Sequence, residues 1–172
     1  MGADYRRTTL QRYADSVKSQ KDFPLTAFRG RHGQASQAIG YGKTMMFFHM
    51  LRKQLGDHTF IEGLRYFYKQ NIFKITAFDA LHHAFEVVSK KDLSSEFRQW
   101  TTRIGAPALQ LDDVTINKTT SGYDLTAALM QIQAEPAFNL HILILIQLEG
   151  REQYARYIFP MKQKKGSIKS AF

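Results

Sequence analysis

Near Pro107 the hydrophobic spacing of this chain switches from a helical period of about 3.6 residues to a strand period of 2, and that switch limits the fold more than any other feature. Before it the pattern is helical. Asp4 is placed to cap a first segment over Tyr5–Val17, with Leu10, Tyr13, Ala14 and Val17 on one face. Residues 18–34 hold Pro24, Gly30 and Gly33 among polar residues and read as an irregular connection anchored by Phe23, Leu25 and Phe28. A second helix is expected over Gln34–Leu55, stopped by Gly56. Asp57 then caps Thr59–Asn71, whose Phe60, Leu64, Phe67 and Tyr68 form one face. Thr76 or Asp79 opens a fourth helix that buries Phe78, Leu81, His82, Phe85 and Val88, and Asp92 caps a fifth over Leu93–Arg103, closed by Gly105 and Pro107.

Beyond Pro107, alternation takes over. Leu109, Leu111 and Val114/Ile116 predict one strand, and Ser121-Gly122 a turn. Tyr123–Gln133 predicts a second strand, with a bulge near Met130 and Ile132. Leu140–Leu148 is nearly continuous apolar, as for a strand buried on both faces. Glu149-Gly150-Arg151 turns the chain into Gln153–Phe159, and Ile168–Phe172 supplies a last strand. The fold class expected is α+β, with a helical bundle over residues 1–106 and an antiparallel β-sandwich-like module over 107–172.

Composition limits the function classes. At 172 residues and 44% hydrophobic content, with 13 Phe and 8 Tyr, the chain can bury a core. It contains no cysteine, which excludes disulfides, thiol catalysis and cysteine-ligated zinc. No apolar run reaches the ~20 residues of a membrane span, and the first residues lack an apolar signal core; the compartment stays open. The formal charge of +9 brings nucleic acid or an anionic surface into view. The basic residues are scattered, however, and a generic basic surface is favoured over nucleic-acid binding. The one basic patch worth weighing is Lys162–Lys169 near Tyr154, Tyr157 and Phe159.

The residues that carry chemistry are Gly40-Tyr41-Gly42-Lys43 running into Thr44–Leu55, read together with Phe97, Gln99, Trp100, Gly105, Pro107 and Leu109. In these blocks the chain resembles the aminopeptidase N family of zinc metallopeptidases, the gluzincins. The resemblance spans about residue 20 to the C-terminus and is strongest over 40–109. It implies that residues 1–106 are the C-terminal part of a thermolysin-like catalytic domain and that the β module, which stops abruptly at Phe172, is truncated. It also implies that Tyr41, lying across the substrate from the zinc, donates a hydrogen bond to the oxyanion formed when a peptide carbonyl is attacked. Lys43 is then structural support. Gly42 stands where the family commonly has Glu, and Thr44 where Gly is usual.

The family's zinc motif, His-Glu-x-x-His with a further Glu, occurs nowhere in this chain. The resemblance therefore implies a fragment of a zinc-dependent aminopeptidase. Its peptide-binding pocket, zinc and general base would belong to the remainder of the catalytic domain upstream. No cofactor is expected in this chain, which should be inactive alone and self-associate through helical faces left uncovered. Two other readings remain: a non-catalytic interaction or scaffold domain on the same fold, and, less favoured, a basic nucleic-acid-binding α+β protein. His82 has a partner, Glu86, at the i, i+4 spacing of paired ligands, and nothing marks a third. The pair reads as a partly buried histidine beside a solvated glutamate, and His49 as a hydrogen-bonded core residue. Asp112-Asp113 reads as a turn before a strand, and the stripe Met45, Met46, Phe47, Phe48, Met50 and Leu51 as a helix buried all round.

Overall fold

The computed structural model describes residues 2–17, 21–147, 149–150 and 152–171. Leu148, Arg151 and Phe172, parts of the predicted third strand, its turn and the last strand, lie outside the described residues, as do residues 18–20 of the predicted connection. The fold is α+β. The chain divides into two compact units, one ending at Gly105 and the other starting at Ala106.

The first unit is helical. α1 spans Gly2–Ser16, so Asp4 lies inside its first turn, 3.4 Å from Arg7, rather than capping it. A 3-10 turn, Leu25–Ala27, lies in the connection that follows. Leu25 is buried there, as an anchor must be, while Phe23 and Phe28 are half-buried. The predicted helix over Gln34–Leu55 is one helical run with three geometries: α2, Gln34–Gln37; a π-helical stretch, Ala38–Lys43; and α3, Thr44–Leu55. Gly56, at φ 82°, ends α3 and starts α4, Asp57–Asn71. Asp57 is thus the first helical residue, and its carboxylate accepts from Arg52 Nε and Nη2, at 2.7 and 2.8 Å.

α5, Phe78–Ser89, follows Ala77 with no side-chain cap, so neither Thr76 nor Asp79 plays that part. α6, Ser94–Thr102, begins one residue later than expected. Its cap is shared: Asp92 accepts from the Ser94 amide at 2.9 Å, and Glu86, on α5, accepts from the Leu93 amide at 2.8 Å. The core runs through Phe47, Leu51, Phe60, Leu81, Phe85, Phe97 and Trp100. Its rings meet edge-on or tilted, Phe47 to Phe97 at 5.0 Å and Phe60 to Phe85 at 5.3 Å. On the Met/Phe stripe only Phe47 and Leu51 are fully buried, so α3 presents one face to the core instead of being enclosed. Tyr68, expected on the buried face of α4, is 65% exposed.

The second unit is built of antiparallel strands. β1, Leu109–Thr119, β2, Gly122–Gln131, and β5, Lys165–Ala171, form one sheet in the order β1-β2-β5. β3, Leu140–Gln147, pairs with β4, Tyr154–Met161, as a hairpin. The bulge sits in β1, between Asp112 and Thr115, not in β2, which pairs without a shift up to Gln131. Asp112 and Asp113 therefore lie within the strand at its bulge, with Asp113 at φ 50°. β3 is not buried on both faces: Leu143 and Leu145 are exposed because a two-stranded hairpin leaves its outer face open. Gln131 is buried and completes both hydrogen bonds of Phe138, accepting from its amide and donating to its carbonyl, each at 2.8 Å.

Candidate functional site

Tyr41 sits in the π-helical stretch, where one extra residue per turn disturbs the regular ladder. Turns of this kind are rare and recur at functional sites because they re-aim a side chain. Tyr41 is 56% exposed, and its ring meets that of Phe28 edge-on at 5.4 Å. Among the described residues its hydroxyl makes no hydrogen bond, so the donor is free for a ligand.

The residues on either side explain why the turn forms here. A Cβ on Gly40 would stand 2.2 Å from the Phe28 ring, so only glycine lets that ring lie against the turn. A Cβ on Gly42 would stand 3.0 Å from the Thr9 methyl of α1. Gly42 thus lies where α1 packs down on the turn. Thr9 is itself buried, with its hydroxyl bonded to the Tyr5 carbonyl at 2.8 Å.

Lys43 faces inward. It is only 6% exposed, and its Nζ donates to the Arg103 carbonyl, just past α6, at 2.7 Å. Burial pulls its pKa below the ordinary lysine value; Asp22 pushes the other way, and Arg103 adds to the lowering. Asp22 gathers three donors: the Tyr13 hydroxyl at 3.0 Å, the Phe23 amide at 2.8 Å and the Gly105 amide at 2.5 Å. The sequence singled out Tyr41 and Lys43 and named Phe28 only as an anchor of the connection, while Asp22 was missed. Asp22 has no periodic or motif signature, since its partner Gly105 lies 83 residues away. The run Gly40-x-Gly42 did hold a trace of Phe28, because two glycines in a helical stretch imply close approach by something bulky.

His49, further along α3, is half-buried rather than in the core. Partial burial lowers its pKa, with help from the nearby cations Arg6, Lys53 and Arg52. His82 Nε2 lies 2.8 Å from Glu86 Oε1, near enough to pair when the imidazole is protonated but out of hydrogen-bond alignment. Its ring packs on Phe97 at 4.7 Å. Glu86 in turn is occupied in capping α6. Among the described residues no three His, Asp or Glu side chains converge on a point that could hold a metal ion. These residues do not fit a zinc site, and no step through zinc is derived for this chain. Among them, too, no helix is long and apolar enough to cross a membrane.

No family model matches the chain. It is 34% identical over 77 residues to aminopeptidase N of Lactococcus lactis subsp. lactis, a match covering 45% of this chain and 9% of that protein. It is 29% identical over 107 residues to mitochondrial aminopeptidase 2 of Saccharomyces cerevisiae, covering 62% of this chain and 11% of that protein. Among solved structures it resembles Legionella pneumophila aminopeptidase A, crystallised with aspartic acid, at a TM-score of 0.61 and 23% identity over 88% of this chain and 18% of that one. At that identity the structural likeness speaks for the fold. Fold and sequence together define an aminopeptidase-related α+β chain. The sequence matches to these aminopeptidases cover about a tenth of their length.

Proposed function

We propose that this chain contributes the oxyanion-stabilising segment of a zinc-dependent aminopeptidase that removes N-terminal residues from peptides. The observation that carries the reading is Tyr41: an exposed phenol on a π-helical turn, tied down on both sides, in a chain related to aminopeptidases. A neutral O–H held in place costs no reorganisation when negative charge develops on a peptide carbonyl oxygen. One such donor supplies about 3–4 kcal/mol, or a factor of roughly 100–1,000 in kcat. The phenol keeps its proton throughout and only shares it. Zinc, the general base and the pocket for the free amino terminus would come from residues outside this chain.

The test is hydrolysis of alanyl and leucyl chromogenic amides by the purified chain, with zinc measured on the same sample. The expected result is neither turnover nor stoichiometric zinc. Turnover with roughly one zinc per chain would overturn the reading, since it would require a ligand set within these residues. In a longer product joining this segment to a zinc-binding domain, Tyr41→Phe should lower kcat by about 100- to 1,000-fold and leave KM nearly unchanged.

A further inference from the structure

We propose that Asp22 and Lys43 form a latch that positions the π-helical turn, making them positioning residues for Tyr41; the inference rests on the role given to Tyr41 above. Lys43 lies two residues beyond Tyr41 in the same turn, so fixing its side chain fixes the backbone that carries the phenol. Its ammonium grips the Arg103 carbonyl. Two residues further along the same exit from α6, the Gly105 amide is held by Asp22. A cation takes the carbonyl and a carboxylate takes the amide, so one short junction is held at both polarities. Asp22 also binds the Tyr13 hydroxyl near the end of α1, the helix whose Thr9 abuts Gly42.

Stability alone does not account for a charge at position 43. Burying an ammonium carries a desolvation cost, and an apolar side chain of similar volume fills such a site at least as well. A cation retained in the interior fits a specifying role, in which only one arrangement of the turn satisfies it. An irregular turn needs such a device, because an ordinary α-helical path through residues 38–43 competes with it. The charged groups facing Lys43 are Asp22, which attracts it, and Arg103, which repels it. The Asp22 charge therefore favours the buried ammonium, whose hydrogen-bond partner is the Arg103 carbonyl.

The latch can be read without any catalysis. Tyrosines of the 172-residue chain are labelled with 13C at Cζ, the Tyr41 resonance is assigned by its loss in Tyr41→Phe, and amide hydrogen exchange is followed in parallel. Lys43→Met keeps the side-chain volume and removes the cation, while Asp22→Asn keeps the shape and removes the partner charge. Either should move or broaden the Tyr41 resonance and speed exchange over residues 38–43 by at least about tenfold, with α5 amides unchanged. Lys43→Arg, which restores a cationic donor, should return the Tyr41 resonance towards its original position. If Lys43→Met fails to fold, Asp22→Asn at a half-buried site decides the matter. An unmoved Tyr41 resonance in Asp22→Asn, or uniform acceleration that includes α5, overturns the latch. A null effect of Tyr41→Phe on turnover of the longer product would instead remove the role of Tyr41 and leave the latch standing.

Discussion

Two glycines set the turn beneath Tyr41, and they should respond to alanine to different degrees. Alanine in place of glycine gains about 1 kcal/mol of helix propensity. At Gly42 the new methyl meets a methyl of Thr9 at 3.0 Å, a clash that a shift of a few tenths of an ångström relieves. At Gly40 it would stand 2.2–2.4 Å from three atoms of the Phe28 ring, which must swing away. Overpacking of that kind costs about 1–3 kcal/mol, and the edge-on contact of Phe28 with Tyr41 gives up about 0.5–1.5 more. Gly42→Ala should therefore leave the urea midpoint nearly unchanged, while Gly40→Ala lowers it by the equivalent of about 1–2 kcal/mol or more. Gln131 in the β unit is a second single-residue test. Replacing it by Ala removes two hydrogen bonds to Phe138, one at its amide and one at its carbonyl, each worth about 0.5–1.5 kcal/mol. Accelerated exchange of the Phe138 amide is the local readout.

Between elements, α5 and α6 are joined by Glu86, and this junction carries a pH signature. The Leu93 amide holds the Glu86 carboxylate below the ordinary glutamate value of 4.5; desolvation opposes the shift and neighbouring His82 reinforces it. A carboxylate with a depressed folded pKa contributes stability that is present above 4.5 and is lost as pH falls through the folded value. Wild type should therefore lose stability more steeply below pH 4.5 than Glu86→Gln, as followed by urea midpoints across that range. The same junction shows what could be read from sequence. Asp92 announces a helix start because capping is local, whereas Glu86 acts from the preceding helix, seven residues before Leu93, and no local rule points to it. Helix and strand types were legible throughout because apolar spacing sets them. The π geometry of Ala38–Lys43 was not, since it depends on what packs on Gly40 and Gly42 from elsewhere in the chain. Tyr41 was singled out through its motif; the Asp22 carboxylate near it was hidden by 83 residues of separation from Gly105. The expectation of a doubly buried β3 failed because apolar content says nothing of whether a second layer covers the strand.

For the molecule as a whole, the decisive feature is how much apolar surface the helical unit leaves open. Ile61 and Tyr68 on α4, then Ile72, Phe73 and Ile75 in the connection to α5, are all exposed, and Phe73 and Ile75 fully so. The chain spans about a tenth of the aminopeptidases it matches in sequence, so in a longer protein such a surface has many possible neighbours within the same polypeptide. Alone in water it does not. Burying apolar area gives about 25 cal/mol per Å2, and one exposed Phe with one exposed Ile already offers several kcal/mol to a second copy. Orienting and ordering two molecules opposes this, so the association should be weak and concentration-dependent. Light scattering should accordingly give a mass near the 19.8 kDa of the monomer at low concentration that rises as concentration increases. Phe73→Ser with Ile75→Ser should suppress the rise without unfolding the chain, because neither side chain belongs to the core. A monomer that persists at high concentration would mean that this surface is too small or too broken by Lys74 to hold a second copy. The opposite failure, association that survives the double substitution, would shift attention to the exposed Leu143, Leu145 and Ile158 of the β hairpin.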